Sequence, residues 1–208
     1  MTPLPITALL LAGGRSSRMG ADKALAEVVP GVRVVDRMLR TLREAAEEVV
    51  AVTNDPGKFR GLPVRVVVDP VPFEGPLAGL REGLRAARSE WSLAASCDLP
   101  LLRREFVERL WELRGEADAV VPRTGEHGAH PLCALYRRSC LGPVEEALAR
   151  GEKRMVSFFP AIGVRWAEEA ELREIEPGLA SLVNVNTPEE LERVRGLLRR
   201  RSAERFNI

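Results

Sequence analysis

"ITALLLAGGRSSRMGADKAL", residues 6–25, sets the terms for the whole chain. Its first part, Ile6–Ala12, is a continuous apolar run ended by glycine, the pattern of a strand buried on both faces of a sheet. The rest is a short loop that carries Gly13, Gly14 and Gly20 among Arg15, Arg18 and Lys23. A glycine loop after the first strand of an α/β sheet is a place where backbone N–H groups cradle phosphate. Two named loops are excluded by spacing. The P-loop needs lysine directly after its last glycine, and here Ala21 and Asp22 intervene before Lys23. The dinucleotide pattern G-x-G-x-x-G fails because Gly13 and Gly14 are adjacent and the next glycine is Gly20.

Reading outward, apolar positions at helical spacing predict a helix over residues 33–48, with Val34, Val35, Met38, Leu39, Leu42, Ala45 and Ala46 on one face. Strands are predicted at Glu48–Asp55, Pro63–Asp69 and Trp91–Pro100. A helix begins at Pro76, a favoured first helical residue. A helix over Arg104–Leu113 and a strand over residues 117–122 follow. This alternation implies an α/β fold of three layers, Rossmann-like, with a mostly parallel sheet between helices. After residue 122 the pattern loosens. "HPLCALY", residues 130–136, reads as a strand with no helix before it, hence antiparallel or inserted, which makes the sheet mixed. Residues 140–151 and 155–163 read as short helical pieces, and 163–168 as a strand. "LVNVNTPEELERVRGLLRR", residues 182–200, reads as a short strand or turn and a closing helix capped by Thr187 with Pro188 at its first position. The expected organisation is one domain over 1–208. Residues of about 1–122 form one half, about 123–198 a second, and 199–208 a basic tail.

Composition narrows the function. The chain has 208 residues, 45% of them hydrophobic, enough for a core without disulfides or metal. A formal net charge of +1 argues against nucleic acid or an anionic membrane as the main partner. No apolar run reaches the roughly 18 to 20 residues of a membrane span. The N-terminal segment lacks the basic region of a signal peptide. Three unpaired cysteines, Cys97, Cys133 and Cys140, suit a reducing cytoplasm. The one dense basic run, Arg199–Arg201, reads as a solvated tail.

"LAGGRSSRMGADKA" resembles the signature loop of the nucleotidyltransferases that move NMP from an NTP to a phosphorylated acceptor. The chain is most similar to the molybdenum cofactor guanylyltransferases. "TND", "VDP", "EGPLAGLREGL", "ASCDLPLL", "HPLCALY" and "NVNTPEEL" stand in that family's order along most of the chain. One departure is Ala21, where family members often carry a second glycine.

The resemblance implies an Mg²⁺-dependent enzyme that takes GTP and molybdopterin as substrates and makes transient contact with cofactor-handling or acceptor enzymes. Backbone N–H groups of Leu11, Ala12, Gly13 and Gly14 would fix the nucleotide, with glycine allowing close approach. Arg18 and Lys23 would meet phosphate oxygens, Arg18 as a planar fork and Lys23 as a point charge. Asp98 would hold Mg²⁺, which takes only one or two protein carboxylates. Arg18, Lys23 and Asp98 are thus the expected catalytic set. Asp69 would contact substrate or metal. Asn54 and the segment Pro76, Leu77, Ala78 and Gly79 would hold the base. Asn184 and Asn186 would lie near the pterin, with His130, Lys153 and Arg154 on the acceptor side.

Plainer roles stand beside these. Asp98 and Asp69 also fit turn acids, Gly79 fits helix–sheet packing, His130 fits a structural histidine, and Asn186 with Thr187 fits a helix cap. Relatives that use CTP or a different phosphorylated acceptor share the loop, and a non-catalytic nucleotide-binding module would keep its glycines.

Overall fold

The computed structural model describes residues 2–13, 23–70 and 75–206, with side chains described as far as Arg199. The chain opens with β1 (Leu4–Leu11), and after a hairpin of β2 (Glu27–Val29) and β3 (Val32–Arg33) come α1 (Val34–Ala45), β4 (Ala46–Thr53) and β5 (Arg65–Val68). Next are α2 (Pro76–Ala86), β6 (Trp91–Ser96), α3 (Arg104–Glu112), β7 (Ala119–Thr124), β8 (Gly128–Ala129) and β9 (Cys133–Arg137). The chain closes through α4 (Leu141–Ala149), β10 (Val164–Glu168), α5 (Glu169–Arg173) and α6 (Pro188–Phe206).

The main sheet runs in the order β10-β7-β9-β6-β1-β4-β5, with β8 paired to β7. β1 lies parallel to β4 and β6, β4 to β5, and β7 to β10. β9 is antiparallel to both β6 and β7. The turn between β7 and β8 is too short for a crossover, so the chain must reverse there, and β9 then enters the sheet against the common direction. The mixed, mostly parallel sheet expected from the alternation is the one found.

β1 divides the core. Ile6, Ala8 and Leu10 pack with α1, α3, α5 and α6 on one face. Leu9 and Leu11 pack with α2 and α4 on the other. Alternate side chains on a strand point to opposite faces, so a strand with both faces covered must be apolar throughout. Gly83 of α2 is a contact point of this packing: a Cβ there would stand 2.7 Å from Leu9 Cδ1.

The topology also makes the cleft. From β1 the chain steps outward to β4 and β5, then returns through α2 to β6 on the opposite side of β1. The strand order reverses between β1 and β6, and a crevice opens outside the carboxyl ends of strands at such a point.

Several boundaries differ from those predicted. α1 ends at Ala45, because Ala46 already pairs with Leu4 in the sheet. The third predicted strand begins at Arg65 and not at Pro63. Residues 155–163 form turns and a 3₁₀ turn at Phe159–Ala161. Of the short strand or turn expected from residue 182, the turn is found, as a 3₁₀ turn over Ala180–Leu182. The β2–β3 hairpin was not anticipated: its strands are short, and it turns at Pro30–Gly31 with Gly31 at φ +76°. α6 runs on through Arg199–Arg201 to Phe206. Its Leu191, Val194 and Leu198 face the core.

Candidate active site

A cavity of about 430 Å³ opens at the carboxyl ends of the four parallel strands. β1 gives it Leu11 and Gly13, β4 gives Val52 and Thr53, the end of β5 gives Asp69, and β6 gives Ser96, Cys97 and Asp98. Gly75, Pro76 and Gly79 of the α2 entrance close one wall. The ladder that builds this floor is regular: Leu11 stands beside Val52 on one side and Ser96 on the other.

The backbone just past β1 is braced. Ala12 donates its N–H to the Val52 carbonyl at 2.8 Å, and the Leu11 carbonyl accepts from Cys97 at 3.1 Å. Thr53 Oγ1 donates to the Ala12 carbonyl at 3.2 Å, and Asn54 Nδ2 to the Gly13 carbonyl at 3.3 Å. The N–H of Ala12 is therefore occupied by the sheet, and Gly13, the last described residue before Lys23, lines the cavity. Asn54 holds the loop backbone and is not among the cavity-lining residues. Gly14 and Arg18, both expected at the nucleotide, lie outside the described residues.

At the floor, Lys23 Nζ donates to Asp98 Oδ2 at 2.6 Å. The pair is largely shielded, with 20% of the Lys23 side chain and 8% of the Asp98 side chain exposed. Lys23 Nζ also reaches Asn186 Oδ1 at 3.1 Å, and Asp98 accepts through its backbone carbonyl from Val185 at 2.9 Å. Asp98 Oδ1 is buried and has no hydrogen-bond partner among the described residues. A buried carboxylate oxygen left without a donor is costly unless something else meets it. That orphaned atom, on a residue that lines the cavity, fits a divalent cation.

α2 presents its N-terminus to the cavity. Gly75 precedes it at φ +99°, a conformation L side chains rarely adopt, and a Cβ there would approach the Lys153 carbonyl to 3.2 Å. Pro76 follows as the first helical residue and lines the cavity, whereas Leu77 and Ala78 are fully buried in the core. A Cβ on Gly79 would sit at ordinary van der Waals distance, 3.8 Å from Leu11 Cδ2, so packing alone does not require glycine there.

A second cavity of about 630 Å³ is lined by Asn186, the residue that accepts from Lys23 of the first. His130, Asn184 and Asn186 line it, together with Thr124, Leu179 and Arg193. His130 Nε2 and Thr124 Oγ1 are 2.9 Å apart. Burial, and then the nearby His127, hold the His130 imidazole below its ordinary pKa. Lys153 and Arg154 are not among the residues of this cavity; Lys153 lies against Gly75, at the rim of the first one.

Sequence reasoning missed Thr53, whose hydroxyl anchors the β1 end, and Leu132, which closes the first cavity from the β9 side. It also missed Glu190. Glu190 Oε2 accepts from Thr187 N–H while Thr187 Oγ1 accepts from Glu190 N–H, the reciprocal exchange that "TPEE" encodes.

A family model described as the MobA-like NTP transferase domain matches residues 8–165. A molybdenum cofactor guanylyltransferase from Desulfosudis oleivorans is 32% identical over 195 residues, covering 93% of this chain and 96% of that protein. The crystal structure of molybdopterin-guanine dinucleotide biosynthesis protein A from Archaeoglobus fulgidus superposes with a TM-score of 0.81 at 23% identity, over 94% of this chain and 100% of that one. The 2-C-methyl-D-erythritol 4-phosphate cytidylyltransferase from Thermus thermophilus superposes with a TM-score of 0.68 at 19% identity, over 93% and 98%. At those identities the two structures show a shared fold.

Proposed function

The chain belongs to the MobA-like NTP transferase family, and from that membership and the site geometry we propose that it is a molybdenum cofactor guanylyltransferase. It takes GTP in the smaller cavity and molybdopterin in the larger, and transfers GMP to the acceptor's phosphate. One observation carries the reading: Lys23, which lines the first cavity beside Asp98, also donates to Asn186 of the second, so a hydrogen bond joins the two linings. A group-transfer enzyme needs its donor and acceptor to share such a junction.

The chemistry follows from charge. An oxygen of the acceptor phosphate attacks the α-phosphorus of GTP, a P–O bond to pyrophosphate breaks, and pyrophosphate leaves. A phosphate monoester has a second pKa of about 6, so at neutral pH the nucleophile is already ionised and gives no proton to the protein. His130, held below its ordinary pKa, is not needed as a base. What the residues supply is position and neutralisation. Lys23 places a positive charge beside the phosphates, and Arg18 adds a second. Gly13 keeps side-chain bulk away from the triphosphate. Asp98 Oδ1 would hold Mg²⁺, with Asp69 across the cavity as a further oxygen ligand or substrate contact; the bound ion would supply charge neutralisation. Asn184, Asn186 and His130 line the acceptor's cavity, while Lys153, at the rim by Gly75, stands closer to the nucleotide.

The fold is shared with a cytidylyltransferase, so base choice rests on the "GPLAG" wall and on likeness to the Desulfosudis oleivorans protein. The test is pyrophosphate release with Mg²⁺, molybdenum-loaded molybdopterin and each of the four NTPs. Release with GTP alone, dependent on acceptor and metal, supports the assignment. Release with CTP changes the base, and silence with all four overturns the reading.

A further inference from the structure

The ion pair at the cleft has a third member from a distant part of the chain. Asn186 Oδ1 accepts from Lys23 Nζ across 163 residues of sequence, and Val185 donates its N–H to the Asp98 carbonyl. The segment just before α6 is thus tied to both members of the pair, and its position helps to set theirs. That segment is itself held by Glu190. Glu190 Oε2 accepts the N–H of Thr187 at 3.1 Å and the N–H of Asn186 at 2.6 Å.

Only one of those two bonds is needed to cap α6. The capping exchange runs between Thr187 and Glu190. The shorter bond goes to the residue before the cap, where it satisfies no helical N–H. It fixes the backbone of Asn186, whose side chain reaches Lys23.

We propose that Glu190 is a positioning residue for the transfer: by holding the Asn186 backbone, it aims Asn186 Oδ1 at Lys23 and keeps the ammonium on Asp98 Oδ2. Asp98 itself lines the first cavity, with its other oxygen, Oδ1, buried. This role rests on the guanylyl-transfer reading for its effect on rate, but not for its effect on Lys23.

Three variants separate positioning from helix capping. Glu190→Ala removes the acceptor for both N–H groups. Glu190→Gln keeps one carbonyl oxygen to accept them. Thr187→Ala removes the other half of the cap and leaves the bond to Asn186. The expected result is a kcat about tenfold lower in Glu190→Ala with the KM for GTP nearly unchanged, the mark of a lost transition-state interaction. Glu190→Gln restores kcat, and Thr187→Ala lowers the melting temperature as Glu190→Ala does yet keeps kcat.

A second readout needs no turnover. The chain has three lysines, Lys23, Lys58 and Lys153. Brief acetylation of the native protein, read by peptide mass spectrometry, should modify Lys23 several-fold faster in Glu190→Ala and not in Thr187→Ala, with Lys58 and Lys153 as internal references. Unchanged Lys23 labelling in Glu190→Ala overturns the proposal, as does loss of kcat in Thr187→Ala equal to that in Glu190→Ala. If the wild type transfers no GMP, the labelling still decides the case for Glu190 while the functional reading fails alone.

Discussion

Lys23 and Asp98 stand 2.6 Å apart although 75 residues separate them in sequence. β1 and β6 make this possible: they are neighbours in the sheet, and the chain leaves both at the same end. The lysine occupies only one carboxylate oxygen, Oδ2, and leaves Oδ1 buried and unmet by the described residues.

Asp98→Asn keeps the shape of that side chain and removes its charge. Turnover, measured as pyrophosphate release, should fall about 100-fold or more, the scale for losing one electrostatic contact at a reacting phosphate. GTP binding by calorimetry should weaken less, since Gly13 and the α2 wall remain. Turnover within twofold of wild type would remove Asp98 from the metal role.

Gly79 and Gly83 of α2 should respond in opposite ways to alanine. At Gly83 the new Cβ meets Leu9 Cδ1 at 2.7 Å and Leu9 Cγ at 3.3 Å, inside a fully buried cluster. Overpacking there should cost about 1 to 3 kcal/mol, partly offset by about 1 kcal/mol of helix propensity. Gly79→Ala has room, should gain up to about 1 kcal/mol in thermal or urea unfolding, and places a methyl group at the cavity wall. It should weaken GTP binding while the protein becomes more stable.

His130 carries a pH signature. Its folded pKa lies below the unfolded value because burial, and then His127, disfavour the charged ring. Between those two values the unfolded chain holds more protons than the folded one, so stability rises with pH through that window. Going the other way, stability should drop as pH falls below about 6.5, the unperturbed value, toward the folded pKa. Urea midpoints at pH 7.5 and 5.5 should differ more in wild type than in His130→Gln. Equal differences would show that His130 is not the group responsible.

Cys133 and Cys140 should be inert to thiol reagents in the native state. Burial pushes both thiols up to about 12, with Glu176 adding to the effect at Cys133 and Asp118 at Cys140. The thiolate is the reactive form, and almost none exists at pH 8. A chromogenic disulfide should label them only after denaturation. Rapid labelling of either in the folded protein would contradict their packing.

Much of this site was legible before any coordinates, because it follows from strand ends. The apolar run Ile6–Ala12 had to be a doubly covered strand, and "SCDLP" had to end another, so Gly13 and Asp98 were expected on one edge. Asp69 joined them by the same logic. What sequence could not show was pairing across the molecule. Nothing in the spacing of Lys23 and Asn186 says that one accepts from the other, since that contact depends on how α6 returns to the sheet. Roles within a single motif also diverge: in "GPLAG", Pro76 and Gly79 face the cavity while Leu77 and Ala78 serve the core. The glycine demanded by packing was Gly83, because a collision with Leu9 is a property of two elements together.

The reversed strand β9 also has a consequence for the order in which the protein can be made. A ribosome delivers β1, β4, β5 and β6 first, and these can pair with one another as they emerge. β7 comes next but has no neighbour among them, because its place is on the far side of β9. Until Cys133–Arg137 has left the exit tunnel, β7 is an apolar segment with unmet backbone groups beside a half-built sheet, the kind of edge that invites misassociation. β9 acts as the seam that joins two halves, and its late arrival makes the interval between them the vulnerable moment of biosynthesis.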